Sequence, residues 1–418
     1  MSCGTKNASQ NFVPMKNNSV LTVRQIRMPI AIWALAVSVF AIGTTEVVMI
    51  GLLPTIAKEF SISIASTGWL VTSYAMGVAI GGPIVAAFTN TVDRKRLLLT
   101  IILLFVVSNG LASVSSNFSL LLIARVLSGV AHGVFVGIGA NIASSMVPKE
   151  KRATAIAIMF TGLTVAMVTG VPLGTYIGQQ FGWRFTFGGI AGIGFLCLLA
   201  NQLWLPKNIE KGAPIGLRDQ FKVLKNRSML LGFSLTLFSF AALFGTFTFL
   251  PPLLDKISGF TENQITLILL LYGVAVALGN LMGGKLSNEK PARTLIYLFT
   301  VLSIAFGLMY PLLPYRTTAL ILVATMGFIG FGTVPGMQLY VIQLSEKYLT
   351  GTEDVASVLN ISAFNVGIAL GSSTGGMLIS RSSGLLSITL MSAVFALIAI
   401  LMAIISIQRE NQYQHKNK

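Results

Sequence analysis

The chain has 418 residues, 54% of them hydrophobic and 10% charged, with a formal net charge of +16 and a mean hydropathy of +0.79. A soluble domain carries about 25% charged residues, and no single water-soluble core of this length hides so much apolar surface. A soluble enzyme, a disordered chain and a nucleic-acid module are therefore excluded, which leaves a polytopic membrane protein.

Residues 1–28 form a polar tail without the short apolar core of a cleaved signal peptide, so the first apolar run is expected to remain as a membrane helix. A span needs about 20 mostly apolar residues. Six such runs follow, at 29–53, 67–88, 97–115, 118–145, 153–178 and 185–205. A charged stretch at 206–228 separates them from six more, at 229–252, 264–284, 294–313, 317–343, 354–379 and 384–407, before a polar tail at 408–418. The expected fold is all-α, with twelve transmembrane helices in two six-helix bundles, 29–205 and 229–407.

Taken in chain order, span 1 carries Gly43-Thr44-Thr45-Glu46 followed by Gly51-Leu52-Leu53-Pro54. Glu46 is the one acidic residue deep in a span. An ionised, unpaired carboxylate in hydrocarbon is costly, so Glu46 must face an aqueous cavity, find a partner or stay protonated. Each option suits a proton carrier, and a structural hydrogen-bonding role is the plainer alternative. The loop after span 2 reads Asp93-Arg94-Lys95-Arg96 and lies after Gly81-Gly82-Pro83. Span 4 places Arg125 and His132 seven residues apart, on one helix face. His132 titrates near neutral pH and suits either a proton relay or packing against a neighbouring helix. Arg125 either faces the cavity or snorkels to the interface. Span 5 carries Gly162, Ala166, Gly170, Gly174 and Gly178 at a four-residue interval, a smooth stripe for close helix approach. Pro172 lies within the stripe and is expected to bend the helix.

The second six spans hold no acid away from their ends, Asp354 standing at the first residue of the eleventh. Their polar candidates are Asn280, Gln338, Gln343, Asn360 and Asn365, neutral amides able to hydrogen-bond a substrate without demanding charge, or equally to bridge two helices. Aromatic residues such as Trp69, Tyr74, Phe244, Tyr272 and Phe364 are further candidates for a cavity wall. The two cysteines, Cys3 and Cys197, and the two histidines, His132 and His415, have no disulfide or metal-ligand spacing, and no cofactor is expected.

Charge fixes an orientation. With the N-terminal tail inside, 23 of the 29 basic residues fall on inner segments and five on outer ones (Lys58, Arg184, Lys256, Arg316 and Arg381), leaving Arg125 in a span. The positive-inside rule thus predicts both termini in the cytoplasm. The inner face holds nine acids, so the surplus of positive charge is a topology signal, with attraction to anionic lipid as its physical basis. A shift of 198 residues aligns the halves: Pro54 with Pro252, Lys58 with Lys256, Tyr74 with Tyr272, Gly81 with Gly279, Lys95 with Arg293, Gly129 with Gly327 and Gly178 with Gly376. Matching order, topology and loop length point to an internal duplication.

These stretches resemble a bacterial drug/metabolite:proton antiporter of the major facilitator superfamily, in the subgroup of sugar, purine nucleoside and chloramphenicol exporters, from about Pro29 to Gln408. The resemblance implies two pseudo-symmetric bundles that rock around a central site. It implies a proton role for Glu46 and Arg125, while the residues themselves add His132 to that role and suggest substrate contacts from Glu46, Tyr74, Asn280, Gln338, Asn360 and Asn365. Asp93, Arg94 and Arg96 match the superfamily's cytoplasmic gating loop in part, with Thr89 in a slot where glycine is usual. Gly170, Pro172 and Gly174 match the antiporter helix motif, with Val171 in place of a glycine, and Gly182-Trp183-Arg184 follows as in the same subgroup. The implied function is proton-coupled efflux of a small organic compound through the plasma membrane of a bacterium, by a monomer, with substrate, protons and membrane lipid as its partners. An importer of sugars or nucleosides by proton symport or uniport is the nearest alternative. A non-transporting membrane sensor is a remote one, since the chain has no sizeable soluble segment.

Overall fold

A computed structural model describes residues 1, 28–88, 92–148, 152–207, 209, 216–287, 291–380 and 384–416. The N-terminal tail, Thr89, most of the stretch before Gly216 and the loop at Asn288 to Lys290 lie outside the described residues. Fifteen α-helices follow in order: α1 (Ile30–Glu59), α2 (Ile64–Phe88), α3 (Arg94–Ser113), α4 (Phe118–Ser145), α5 (Arg152–Val165), α6 (Val171–Phe181), α7 (Trp183–Trp204), α8 (Leu217–Lys225), α9 (Arg227–Thr248), α10 (Leu250–Lys256), α11 (Glu262–Ser287), α12 (Pro291–Leu312), α13 (Arg316–Tyr348), α14 (Glu353–Ser380) and α15 (Ser387–Lys416). Twelve segments are long and apolar enough to cross a membrane, span 5 being α5 and α6 joined and span 7 beginning with α9. Helices dominate because hydrocarbon offers no partner to backbone N–H and C=O groups, which a helix satisfies within itself.

Local chemistry sets the ends. Asp93, Asn117 and Asn226 each accept a hydrogen bond from a backbone N–H of the first helical turn, capping α3, α4 and α9. Gly182 turns the chain between α6 and α7 at φ 95°, a left-handed conformation that glycine adopts freely. Span 5 is interrupted where the sequence places Pro172. Proline lacks an N–H and its ring crowds the carbonyl four residues back, and the five residues Ala166–Gly170 widen into a π-helical turn that absorbs the misfit. Two elements run beyond their sequence-based ends. The central stretch contains the short helix α8, and α15 continues to Lys416 through residues expected to be a tail. The extension is tied down by Glu410, which accepts a hydrogen bond from Tyr340 at 2.5 Å and lies 3.4 Å from Lys347 Nζ.

Helix partners repeat between the two sets of six. The pair α2 and α4 packs as α11 and α13 do, α3 and α7 as α12 and α15, and α1 and α5 as α9 and α14. The 198-residue shift reaches individual contacts. A methyl added at Gly81 would meet Val130, with its Cα at 2.8 Å, and one added at Gly279 would meet Phe328. Gly129 sits against the Tyr74 carbonyl just as Gly327 sits against that of Tyr272.

The two sets meet along two seams. In one, α2 packs on α14, and the hydroxyls of Thr72 and Ser372 hydrogen-bond at 2.7 Å. In the other, α11 packs on the π-turn and α6. There Gly273 lies on the Met167 carbonyl and Val168, and Thr266 donates to Gln179 at 3.0 Å. Thr72, Ser372, Thr266 and Gln179 sit in the halves of their helices remote from Ile30, so these bonds join the two sets at the end of the bundle opposite the one at which α1 begins, and the contact of Gly273 with Met167 lies near mid-span.

Candidate functional site

The intramembrane charges of the first half converge on one cluster built from four helices. Helix α1 supplies Thr45 and Glu46, α2 supplies Leu70 and Tyr74, α3 supplies Ser108 and Asn109, and α4 supplies Arg125, Ser128 and His132. Arg125 is 1% exposed and does not snorkel. Its planar fork links two helices, with Nε donating to the Leu70 carbonyl at 3.2 Å and Nη1 to the Thr45 carbonyl at 2.8 Å. Each carbonyl has a second lone pair free for this, beyond the one used by its own helix. The guanidinium lies 4.1 Å from the centre of the Tyr74 ring, a cation–π contact. Its Nη2 is buried without a hydrogen-bond partner among the described residues.

His132 sits between the Tyr74 hydroxyl and the Glu46 carboxyl group. Its Nδ1 shares a hydrogen bond of 3.0 Å with the Tyr74 hydroxyl and lies 3.8 Å from Glu46 Oε2. The latter distance is too long for a direct hydrogen bond. It brings the two groups within range of a charge contact. Side-chain exposures of 10% for His132 and 14% for Glu46 leave both at the edge of solvent reach. Arg125 lies within electrostatic range of Glu46 without pairing with it directly. The arrangement can therefore hold a proton on Glu46 or His132, pass it across a short gap, and keep a fixed positive charge beside both.

A supporting layer that no motif marks holds the cluster in place. The Thr45 hydroxyl donates to Asn109 Oδ1 at 2.6 Å, Asn109 Nδ2 donates to the Phe105 carbonyl at 2.8 Å, and Ser108 and Ser128 hydroxyls hydrogen-bond at 2.8 Å. Thr45, Ser108 and Asn109 are fully buried. The signal that points to them is the polar pair Ser108-Asn109 in the middle of an otherwise apolar span 3.

The other candidates divide. Tyr74 belongs to the titratable cluster. Gln338 and Asn360 are brought together between α13 and α14, with Asn360 Nδ2 donating to Gln338 Oε1 at 2.8 Å and Gln338 Nε2 donating to Ser357 at 2.5 Å. Asn365 Nδ2 donates to the Ile361 carbonyl of its own helix at 3.0 Å. Carbonyl oxygens of Asn360 and Asn365 remain buried without partners among the described residues. Asn280 is half-buried on α11, and Trp69 is 49% exposed at the start of α2.

In the loop before α3, Asp93 caps the helix by accepting the Arg96 N–H at 2.9 Å, Arg94 is buried and Arg96 is exposed. The neighbour Lys95 donates to the Gln202 and Leu205 carbonyls at 2.8 and 2.6 Å, tying α3 to the end of α7. The glycine stripe of span 5 faces α1, the helix of Glu46. Gly162 lies on the Ala36 carbonyl, Gly170 on Thr44, Gly174 on Val48 and Gly178 on Leu52, with Pro172 buried beside them. Gly182-Trp183-Arg184 closes the far end of the same half, where Trp183 Nε1 donates to Glu59 at 2.6 Å and Arg184 pairs with Glu59.

Twelve apolar spans in two repeated sets, with a buried titratable cluster inside the first set, define a membrane transporter fold. Residues 35–353 match the Major Facilitator Superfamily, and the chain belongs to that superfamily. It is 47% identical over 356 residues to the uncharacterised transporter YtbD of Bacillus subtilis, covering 85% of this chain and 90% of YtbD. It is 34% identical to the inner membrane transport protein YdhP of Escherichia coli K12, over 90% of this chain and 96% of YdhP. It is 31% identical to a chloramphenicol resistance protein of Streptomyces lividans, over 90% and 96% respectively. In fold it superposes on a bacterial homologue of the lysosomal transporter Spinster with a TM-score of 0.70 at 16% identity, over 91% of this chain and 96% of that one. The protein is a multi-pass plasma membrane transporter rather than an enzyme.

Proposed function

We propose that this transporter exports a small organic compound in exchange for protons, with Glu46 and His132 as the proton-carrying pair. The observation that carries the reading is the meeting of the one intramembrane acid, a histidine and a buried arginine on the first half alone. A buried carboxylate beside a fixed guanidinium changes its surroundings whenever the halves rock, and that couples protonation to conformation. Support for export over import comes from the Gly170-Pro172-Gly174 motif packed on the Glu46 helix and from the similarity to a resistance protein. With the termini in the cytoplasm, as basic-residue placement argues, the Thr72–Ser372 and Thr266–Gln179 bonds close the outer end. Glu46 then loses its proton inward and regains one from outside after the halves rock.

Transport into inverted vesicles under an imposed pH gradient is the direct test. Glu46→Gln is expected to abolish gradient-driven transport while leaving the protein folded. Full gradient-driven transport by this variant would remove Glu46 from the coupling.

A further inference from the structure

The repeat relates the titratable cluster to a second place in the molecule, and its chemistry there is different. A shift of 198 residues carries Glu46 to Phe244, Tyr74 to Tyr272, Arg125 to Val323 and His132 to Gly330. Only the tyrosine is kept. Around it, five aromatic rings from three helices close a circuit: Phe240 to Phe244 at 5.7 Å between centroids, Phe244 to Phe247 at 5.5 Å, Phe247 to Tyr272 at 4.4 Å, Tyr272 to Phe331 at 6.4 Å, and Phe331 back to Phe240 at 6.2 Å. A sixth ring, Phe364 of α14, lies 4.4 Å from Phe240.

The tyrosine gives the circuit a polar point. In the first half the Tyr74 hydroxyl bonds to His132. Glycine stands at the matching position in the second half, and the Tyr272 hydroxyl is buried without a partner among the described residues, in a side chain 1% exposed. A core built only for packing would carry phenylalanine here, because an unsatisfied buried hydroxyl opposes folding. Phe331 is half-buried, while the other five rings are buried.

We propose that this aromatic circuit receives a flat, uncharged aromatic group of the transported compound, with the Tyr272 hydroxyl as its hydrogen-bonding contact. The proposal rests on the transport reading but not on its proton coupling. The first half then handles the proton and the second half the ring of the cargo, one tyrosine scaffold serving each. Offset and edge-to-face packing against several rings recognises any planar π-system, and the hydroxyl selects those that carry a donor or acceptor.

The probes are 1-naphthol and naphthalene, which differ by one hydroxyl. Binding is measured on the full-length protein in lipid nanodiscs, with empty nanodiscs subtracted. Wild type is expected to bind both saturably. Tyr272→Phe keeps the ring and is expected to weaken 1-naphthol about five- to tenfold, the worth of one hydrogen bond, while leaving naphthalene unchanged. Phe244→Ala is expected to weaken both, and its melting temperature shows whether it folds. Saturable binding of neither probe to wild type, or equal 1-naphthol binding by wild type and Tyr272→Phe, overturns the proposal. If Tyr272→Phe only raises the melting temperature, the hydroxyl is a packing flaw and the proposal also fails. Saturable 1-naphthol binding by a protein whose transport ignores a pH gradient would instead defeat the antiport reading and leave this one standing.

Discussion

At the scale of single residues, the cluster depends on donors with fixed geometry. Arg125 bridges the Leu70 and Thr45 carbonyls while lying on the Tyr74 ring. A lysine ammonium is a compact point charge on a flexible stem and cannot do all three. Arg125→Lys is therefore expected to lower transport about tenfold or more at unchanged expression, measured in the same vesicle assay. Retained activity would show that charge alone suffices. Asn109 holds the Thr45 hydroxyl in a fully buried place. Asn109→Leu has nearly the same volume but strands that hydroxyl, at a cost of about 1–3 kcal/mol. A lower melting temperature is the expected result, and an unchanged one would mean the hydroxyl turns to its own helix.

Helix contacts set a graded series at the next scale. A methyl added at Gly162 meets the backbone of Ala36 and Phe40, whereas one added at Gly174 meets the Val48 side chain, with Cγ2 at 2.5 Å. Backbone cannot yield without moving the helix, and a side chain can turn. Gly162→Ala is expected to lower the melting temperature more than Gly174→Ala. Gly110, with nothing near its added methyl, serves as the control in which alanine is neutral or stabilising. The reverse order would deny that α1 and span 5 pack by backbone contact. The π-turn Ala166–Gly170 belongs to the same scale. It lies between Pro172 and the α11 seam, so the bend in span 5 is also a surface on which the second half rests.

For the molecule as a whole, alternating access requires the two seams to open and close. Thr72 and Ser372 touch across one of them. In a background with Cys3→Ser and Cys197→Ala, the pair Thr72→Cys and Ser372→Cys is expected to cross-link with a short reagent and to stop transport, with reduction restoring it. Transport that survives complete cross-linking would mean that this seam stays shut throughout the cycle.

The sequence by itself determined the class of molecule, because hydropathy, length and the bilayer leave few choices. Apolar runs of about 20 residues must be helices, and twelve of them appear in the structure. Glu46 and Arg125 were legible as candidates for the same reason: charge in hydrocarbon is too costly to be idle. The repeat, too, was legible at 198 residues. Partners were not, since contacts between distant spans depend on how helices rotate about their axes, and nearly uniform apolar faces do not fix that rotation. Only the tertiary structure placed His132 between Glu46 and Tyr74, bound Asn109 to Thr45, and turned Gln338 and Asn360 toward each other. It also showed that Lys95 ties α3 to the end of α7 and that hydrogen bonds join the two sets of helices at the end of the bundle remote from Ile30. Tyr272 marks the division most clearly. The sequence equates it with Tyr74 and puts Gly330 where His132 stands, and only packing decides that its buried hydroxyl finds no other partner among the described residues.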